Sequence, residues 1–239
     1  MSRHVLVTGA SGGIGLAVAE RFARAGDEVV VTARRPEPLA AAADKIGARA
    51  VPADVSDPDQ VAALVEQLPE QLDVLVNNAG GNRVFDEAEP AGLAEVAKLW
   101  RTNLEANLIS AVLVTEAVRE RLRAGGSVIH LGSIGAERGA GSYGAAKAAL
   151  ASWSVGLSAE LGPGGVTSNV ISPGYIEQTE FFRDRMTDAR RTALVVATHN
   201  GRPGTVHDVA ETAFFLASPG TRHITGQLLN VNGGAFTTR

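Results

Sequence analysis

The chain has 239 residues, of which 45% are hydrophobic and 20% are charged, and its formal net charge is −4. Lysine and arginine form no block, so nothing in the composition indicates a protein that binds nucleic acids or an anionic membrane. The absence of cysteine excludes disulfide bonds, thiolate nucleophiles and cysteine-ligated metals. Histidines and acids do not occur at ligand spacing, so we expect no metal site.

The amino terminus carries only a short apolar run at residues 5–7. No run approaches the roughly 18 apolar residues of a transmembrane helix. We therefore expect a cytoplasmic protein. An α/β chain of this length can share a single core, so we expect one domain spanning residues 1–239.

Short apolar runs alternate with helical patterns along the chain. The runs predict strands at residues 5–8, 28–32, 48–51, 73–76, 126–131, 166–171 and 227–231. Helical periodicity predicts helices at residues 14–25, 38–46, 60–68, 91–104, 108–122, 141–161 and 206–217. Strands that are apolar on both faces predict a doubly wound, Rossmann-like α/β fold, with a seven-stranded parallel sheet flanked by helices on both faces. Residues 173–203 contain no predicted strand, and we expect them to form a substrate lid beyond the carboxyl ends of the strands.

A glycine-rich segment joins the first strand to the first helix. It is Thr8-Gly9-Ala10-Ser11-Gly12-Gly13-Ile14-Gly15. Glycines let the backbone approach a diphosphate closely, and the helix amino terminus directs N–H groups and a positive dipole end toward it. The spacing is G-x-x-x-G-x-G rather than G-x-G-x-x-G, so the loop taken alone leaves a plain tight turn as an alternative.

Two arginines, Arg34 and Arg35, follow the second predicted strand, and no acid occurs there before Glu37. A carboxylate at this place would hold a ribose 2′-hydroxyl, whereas an arginine would hold a 2′-phosphate. The pair predicts a phosphate clamp, and NADP(H) is favoured over NAD(H) as the cofactor. Two solvated surface arginines are the alternative.

Tyr143 and Lys147 lie four residues apart on one face of a predicted helix. A nearby cation favours the phenolate and lowers the pKa of a tyrosine, which suits proton transfer to a carbonyl oxygen while hydride arrives from a nicotinamide. Ser133, just past the fifth strand, could orient that oxygen. Each residue also has a plainer interpretation, as an exposed helical pair or a turn residue.

Motifs along nearly the whole chain occur in the order of one family. They are residues 8–15, Asp54-Val55, Asn77-Asn78-Ala79-Gly80, Asn107-Leu108, Ser133, Tyr143 with Lys147, Ser172-Pro173-Gly174, Gly226-Gln227 and Val231-Asn232-Gly233-Gly234. With these residues the chain resembles the short-chain dehydrogenase/reductase family, in the single-domain branch that includes bacterial 3-oxoacyl-carrier-protein reductases.

The resemblance implies a role for each matched residue. Tyr143 would be the general acid in reduction, Lys147 would bind the nicotinamide ribose and lower the tyrosine pKa, and Ser133 would polarise the carbonyl. Asn107 would hold a water that relays protons to Lys147. The cofactor would contact Gly9, Ser11, Gly12, Gly13, Ile14, Gly15, Arg34, Arg35, Asp54, Val55, Asn78, Ala79, Gly80, Tyr143, Lys147, Pro173, Gly174, Ile176 and Thr179. Asp54 would lie against the adenine, and Ile176 and Thr179 would meet the nicotinamide carboxamide.

Three positions depart from the family pattern. Ser133 and Tyr143 are ten residues apart, a shorter separation than most members show, so we expect a more open pocket mouth. Gln178 stands where the family usually has threonine, and Thr179 follows it one residue late. Asn232 stands where aspartate is commoner, a change that we interpret as neutral.

Together these observations predict an NADPH-dependent ketoreductase that forms a secondary alcohol from a ketone, for example a 3-oxoacyl thioester or a polyketide-like carbonyl. One alternative is an alcohol dehydrogenase that oxidises a sugar, steroid or other secondary alcohol. Another is a non-catalytic NADP(H)-binding regulator. A nucleotide-sugar epimerase or dehydratase is disfavoured by the glycine spacing and because we expect no additional substrate domain.

Candidate pocket side chains in the predicted lid are mostly apolar. They are Tyr175, Phe181, Phe182, Met186, Leu194, Val195 and His199, with Arg183 and Arg185 nearby.

His130 is expected to be a core histidine with a hydrogen-bond partner, and Trp100 and Trp153 are expected to be packing or subunit-interface residues. The resemblance implies a homotetramer, or else a dimer, assembled through the helices around Asn107 and Tyr143 and the last strand.

Overall fold

Seven parallel strands form one sheet in the computed structural model, which describes residues 2–85 and 90–238 but not the side chain of Asp184. In chain order they are β1 (His4–Thr8), β2 (Glu28–Thr32), β3 (Arg49–Ala50), β4 (Leu72–Asn77), β5 (Leu122–Leu131), β6 (Thr167–Pro173) and β7 (Leu228–Val231). Their order across the sheet is β3-β2-β1-β4-β5-β6-β7, and neighbouring strands are parallel. The predicted doubly wound fold is confirmed.

Helices cover both faces of this sheet. They are α1 (Gly13–Arg24), α2 (Pro36–Ile46), α3 (Pro58–Glu66), α4 (Leu93–Leu104), α5 (Ser110–Val118), α6 (Gly141–Leu161), α7 (Asp188–Val196) and α8 (Val206–Leu216). Val7 packs into the core under α1, α2 and α8, whereas its neighbour Leu6 packs into the core under α3, α5 and α6. Because both faces are covered, the central strands are apolar at successive residues.

The α4–α5 region differs from its prediction. A π-helical turn, Glu105–Ile109, joins the two helices, where the sequence analysis placed a break, and Asn107 lies within this turn. The predicted helix at 108–122 is also wrong at its end, because α5 ends at Val118 and β5 begins at Leu122. Leu122 pairs with Leu72, and the register between β4 and β5 is irregular just after this pair. Strand β5 therefore begins before residue 126, where the apolar run predicted its start.

The predicted lid contains a helix, α7, that the sequence analysis did not predict. Thr187 caps it by accepting a hydrogen bond from the Arg190 backbone N–H at 3.2 Å. The base of the segment is held where Gly204 donates to the Tyr175 carbonyl and accepts from the Glu177 N–H, both at 2.9 Å. No helix in the described part of the chain has both the length and the apolar character needed to cross a bilayer.

Candidate active site

The phosphate loop lies between β1 and α1, as predicted. Within the described residues no side chain caps α1 at Gly12, and the first turn contains no acid, so its N–H groups face the carboxyl edge of the sheet without a side-chain partner. A Cβ added to Gly15 would collide with the Asn78 side chain and lie 2.5 Å from the Gly9 carbonyl oxygen, whereas one added to Gly12 would meet nothing within 4 Å. The loop is therefore tight on its inner side and open on its outer side.

Asn78 and Thr8 fasten the end of β4 to this loop. The Asn78 amide donates to the carbonyl oxygens of Thr8 at 3.0 Å and of Gly9 at 2.9 Å. The Thr8 hydroxyl accepts hydrogen bonds from the backbone N–H groups of Asn78 and Ala79 at 3.1 and 3.0 Å. Asn78, one of the residues predicted to contact the cofactor, therefore supports the phosphate loop.

A cleft of about 480 Å³ opens beside the loop. Eight predicted cofactor residues line it, namely Gly9, Ser11, Arg34, Arg35, Asp54, Val55, Ala79 and Gly80. Ala33, Ala53, Ser56, Arg83, Ala106 and Ser110 also line it, and the sequence analysis did not identify these. The cleft adjoins the open glycine loop and the amino terminus of α1, so it fits the adenosine diphosphate half of a dinucleotide.

Charged groups of both signs border the cleft. Arg34 and Arg35 are exposed, and neither guanidinium group has a hydrogen bond or ion pair to any residue that the structure describes. The Asp54 carboxylate accepts hydrogen bonds from the Ser56 N–H at 3.0 Å and from its hydroxyl at 2.6 Å. The two guanidinium groups are thus available to an anionic ligand, while the acid is held in place by its own turn.

Asn107 binds the loop that follows β4. Its amide donates to the Gly81 carbonyl at 2.9 Å and accepts from the Gly81 N–H at 2.9 Å, and it also donates to the Asn103 carbonyl at 3.0 Å. A Cβ on Gly80, whose φ is +154°, would lie 2.6 Å from the Asn107 oxygen. The Asn107 side chain therefore holds the Gly81 backbone, and the role of Asn107 in holding a water stays a prediction.

Tyr143 and Ser133 meet at the carboxyl end of β5. Tyr143 lies in the first turn of α6 and is 6% exposed. Burial raises the pKa of its phenol to about 12, and a hydrogen bond with the Ser133 side chain only partly opposes this shift. Lys147 is not among the causes of this shift, whose largest cause is the loss of water around the phenol. The phenol retains its proton at neutral pH.

Lys147 lies one turn beyond Tyr143 and is also buried. Its ammonium group donates to the Leu131 carbonyl at 2.7 Å and lies 6.0 Å from the centre of the Tyr143 ring. Burial lowers the pKa of Lys147 to about 8. A Cβ on Gly80 would lie 3.4 Å from the ammonium nitrogen, so the cation reaches the edge of the cofactor cleft.

The short connection between Ser133 and Tyr143 folds back on itself. Its turns are closed by hydrogen bonds from the Ala136 N–H to the Ser133 carbonyl at 3.0 Å and from the Ala140 N–H to the Gly135 carbonyl at 3.0 Å. The Ser133 hydroxyl also accepts from the Gly135 N–H at 3.0 Å. Tyr143 behind this connection is almost fully covered, and a more open pocket mouth stays a prediction.

The start of the lid returns to the phosphate loop. Ile176 is buried, and the Thr179 hydroxyl donates to its carbonyl at 3.2 Å. The Thr179 methyl would be 4.0 Å from a Cβ on Gly13. Gln178, which stands where the family usually has threonine, has a left-handed φ of 57°. Thr179 follows Gln178 and lies next to Gly13 of the phosphate loop. Pro173 ends β6, and Gly174 packs against Asn232.

An aromatic cluster covers the predicted catalytic residues. Phe181 lies 5.5 Å from the Tyr143 ring, 5.8 Å from Phe85 and 4.9 Å from Phe182, and Tyr175 lies 5.9 Å from Phe182. The sequence analysis proposed three of these five rings as pocket residues but did not identify Phe85.

Two arginines lie over the aromatic cluster. The guanidinium of Arg190 lies 4.8 Å from the ring centre of Phe182, and that of Arg185 lies 5.5 Å from Phe85. His199, another polar candidate in the predicted lid, packs instead against Gly234, where a Cβ added to the glycine would lie 2.7 Å from the imidazole. The rim of the aromatic cluster is therefore basic.

His130 is a core residue, as expected. Its imidazole lies 3.3 Å from the Asn77 amide and 3.4 Å from the Ser168 hydroxyl, and 5.1 Å from the ring of Trp153. Burial, aided by the charge of Lys147, lowers the pKa of His130 to about 3. Among the described residues no group of three or more histidines and acids could hold a metal ion.

Comparisons with known proteins cover nearly the whole chain. A family model described as enoyl-(acyl carrier protein) reductase matches residues 9–236. The chain is 34% identical over 241 residues to 3-oxoacyl-(acyl-carrier-protein) reductase FabG of Escherichia coli, covering 97% of this chain and 96% of that protein.

Two solved structures have the same fold. A short-chain type dehydrogenase/reductase from Mycobacterium ulcerans has a TM-score of 0.88 at 29% identity, over 98% of this chain and 91% of that chain. A blue fluorescent protein from a metagenomic library, solved in complex with NADPH, has a TM-score of 0.84 at 32% identity, over 98% of both chains. The chain belongs to the short-chain dehydrogenase/reductase family and is an oxidoreductase with a site for a nicotinamide cofactor.

Proposed function

We propose that the protein is a ketoreductase that uses NADPH to convert a ketone into a secondary alcohol. The observation that carries this proposal is the buried phenol of Tyr143, which is hydrogen-bonded to the Ser133 side chain and has the Lys147 ammonium group one helical turn away. Reduction of a ketone needs a proton donor for the developing alkoxide. The Tyr143 phenol holds such a proton across the neutral range.

Each neighbouring group has a part in this reaction. When bound, the nicotinamide supplies the hydride that reaches the carbonyl carbon. Tyr143 donates a proton to the carbonyl oxygen, and Ser133 hydrogen-bonds the same oxygen as negative charge develops there. Lys147 holds the nicotinamide ribose. Asn107 positions Gly81 and so keeps the loop after β4 against the cofactor.

The basic pair at the end of β2 supports NADPH over NADH. Arg34 and Arg35 line the cleft and are exposed. Arginine matches a phosphate with two parallel hydrogen bonds, and no acid that would hold a 2′-hydroxyl lies between Thr32 and Glu37. We therefore assign the 2′-phosphate of NADPH to this pair.

The aromatic cluster supports an apolar substrate. Phe181 covers Tyr143, and Arg185 and Arg190 form a basic rim above Phe85 and Phe182. Such a wall suits the acyl part of a 3-oxoacyl thioester, and the Escherichia coli relative is named a 3-oxoacyl-(acyl-carrier-protein) reductase. The basic rim suits an anionic carrier. We further propose that residues 173–203 close over this substrate.

The oxidative direction is the second candidate. In that direction Tyr143 would accept the proton of the alcohol, since by microscopic reversibility the same residue serves oxidation and reduction. The Arg34–Arg35 pair, which supports NADP(H), favours reduction.

Assembly into a homotetramer, with one domain in each chain, completes the proposal. Large apolar side chains are exposed on the α4–α5 region and on α6, namely Leu93, Trp100, Ile109 and Val155. These helices are the ones through which the resemblance implies assembly, and a solution mass by light scattering tests it.

Coenzyme oxidation tests the activity. Purified protein is offered NADPH or NADH with 3-oxoacyl thioesters, enoyl thioesters, diketones and cyclic ketones, and NADP⁺ with secondary alcohols. We expect NADPH-dependent turnover of ketones that drops about 100-fold or more in Tyr143→Phe, as loss of a general acid predicts. Turnover of enoyl thioesters alone would assign carbon–carbon double-bond reduction instead. NADPH binding without turnover of any substrate would favour a regulator.

A further inference from the structure

A second asparagine, Asn103, lies one helical turn before Asn107 and is fully buried. Its oxygen accepts a hydrogen bond from the Arg83 backbone N–H at 3.1 Å, and its amide donates to the Ser142 hydroxyl at 2.9 Å and to the Leu99 carbonyl at 3.4 Å. Each polar atom of this buried amide therefore has a partner. Burying an amide is unfavourable unless it is bonded in this way, so the contacts are specific to this geometry.

Two of the partners of Asn103, Ser142 and Arg83, belong to different elements of the site. Ser142 is buried in the first turn of α6 and directly precedes Tyr143. Arg83 begins a short 3₁₀ turn that ends at Phe85, and Phe85 contacts Phe181 of the aromatic cluster. A single side chain thus connects the backbone that carries Tyr143 to the loop that carries one wall of the substrate pocket.

The first turn of α6 carries Ser142 and Tyr143, and each of them bonds a side chain of another segment. Within the described residues no side chain caps α6 at Ala140. The Ser142 bond to Asn103 is a side-chain contact between this turn and the helix packed against it. Movement of the turn would change both the depth of the Tyr143 phenol and its distance from Ser133.

We propose that Asn103 is a positioning residue for Tyr143, acting through Ser142 on one side and through the loop at residues 81–85 on the other. It holds the phenol at a depth where water is excluded and the proton is retained. The inference rests on the proposed function only in treating Tyr143 as the proton donor.

Phenol titration tests this positioning without any substrate. The chain has two tyrosines, so Tyr175→Phe leaves Tyr143 as the single phenol, and its ionisation is followed by phenolate absorbance after rapid mixing to alkaline pH. In this background we expect Tyr143 to titrate near 12. Asn103→Leu and Ser142→Ala should each lower this pKa toward the ordinary value of about 10, because the loosened turn admits water.

Asn169→Leu is the matched control. Asn169 is also buried, and its side chain makes a similar pair of bonds, donating to the Ile224 carbonyl at 2.8 Å and accepting from the Gln227 N–H at 3.0 Å. These bonds join β6 to the segment before β7. Asn169→Leu should lower the melting temperature comparably and leave the Tyr143 titration unchanged.

Turnover gives the second readout. With a ketone that the parent enzyme reduces, Asn103→Leu should lower kcat by about 10- to 100-fold, as misplacement of a reacting group does, while KM for NADPH changes by less than about 2-fold. If Asn103 acts through Ser142, the double variant should be no slower than the slower single variant.

An unchanged Tyr143 titration in folded Asn103→Leu would overturn the inference, as would an equal shift in Asn169→Leu. If Asn103→Leu does not fold, Ser142→Ala is the variant that tests the inference. An unchanged Tyr143 titration together with an unchanged kcat in Ser142→Ala would also overturn the positioning role of Asn103. If the parent enzyme reduces no ketone, the proposed function fails while the titration still tests the positioning.

Discussion

The ammonium group of Lys147 donates a 2.7 Å hydrogen bond to the Leu131 carbonyl, at the last residue of β5. The bond ties the middle of the predicted catalytic helix to the carboxyl edge of the sheet. It also leaves the remaining N–H donors of the ammonium beside Gly80, at the edge of the cofactor cleft. Since burial lowers the pKa of Lys147 to about 8, its charge is lost within an accessible pH range.

We predict that the affinity for NADPH falls as pH rises through about 8, because deprotonated Lys147 loses a charge and a donor to the ribose. Lys147→Arg stays charged throughout this range and should bind NADPH with no such fall. The check is NADPH fluorescence titration from about pH 6 to about pH 10. An identical fall in both proteins would assign the pH dependence to another group.

The same shift affects stability, and its sign follows from proton binding. The pKa of Lys147 is about 8 in the folded protein against 10.5 for an ordinary lysine, so the unfolded chain binds more protons between these values. Its contribution to the free energy of unfolding therefore rises with pH across that window. Below about pH 8 the folded protein carries the full cost of the buried charge.

Arg34→Ala should weaken NADPH binding by about 10- to 100-fold, the loss expected for a charge-assisted pair of hydrogen bonds. NADH binding should change little, because NADH has no 2′-phosphate. Comparing dissociation constants for both coenzymes checks this, and Arg24→Ala, an exposed arginine on α1 outside the cleft, is the control. If the double variant Arg34→Ala, Arg35→Ala still prefers NADPH to NADH, the assignment of the 2′-phosphate to these two arginines is wrong.

Gly15→Ala should destabilise the protein by about 1–3 kcal/mol, because the added methyl collides with Asn78 and Gly9 in a packed loop. NADPH binding should weaken with it. The matched control is Gly156→Ala in α6, where an added Cβ meets nothing within 4 Å, so it should stabilise by roughly 0.5–1 kcal/mol through helix propensity. Urea unfolding of both variants measures the two changes in the free energy of unfolding. Equal effects of the two substitutions would show that the loop is not tight.

His130 should make the protein sensitive to acid. Its pKa is about 3 in the folded protein and 6.5 in a model peptide, so the unfolded chain binds the extra proton between these values and stability falls as pH drops from 6.5 toward 3. His130→Gln cannot be protonated. As the pH falls from about 6.5 to about 4, the free energy of unfolding of His130→Gln should decrease by roughly 3 kcal/mol less than that of the parent protein. Urea unfolding at a series of pH values measures this, and parallel curves for the two proteins would contradict it.

The fold and the phosphate loop could be predicted because their signals are local. Val5 to Thr8 and the glycines after them carry strand and turn preferences in their own residue types. The π-helical turn at Asn107 could not be predicted, since one inserted residue in a helix barely changes the apolar spacing. Helix α7 did have a signal, the capping Thr187 followed by Asp188, within a segment of weak apolar character.

The electrostatics of the site depend on burial, which the sequence does not state. Tyr143 and Lys147 at helical spacing suggested a lowered phenol pKa, whereas in the folded chain both groups are buried and their pKa values move in opposite directions, each toward its neutral form. Asn103 and Phe85 were missed for a related reason. Their importance arises from contacts with Ser142 and Phe181, which lie far away in the sequence.

The central claim is that hydride goes to a carbonyl carbon while Tyr143 protonates the oxygen. The direct measurement is a single turnover with NADPH deuterated at the ring carbon that delivers the hydride, followed by mass spectrometry of the product from a 3-oxoacyl thioester or cyclic ketone. We predict one deuterium on the carbinol carbon, and a rate that is lower by about 100-fold or more in Tyr143→Phe. Deuterium on any other carbon, or an equal rate in Tyr143→Phe, would contradict the account.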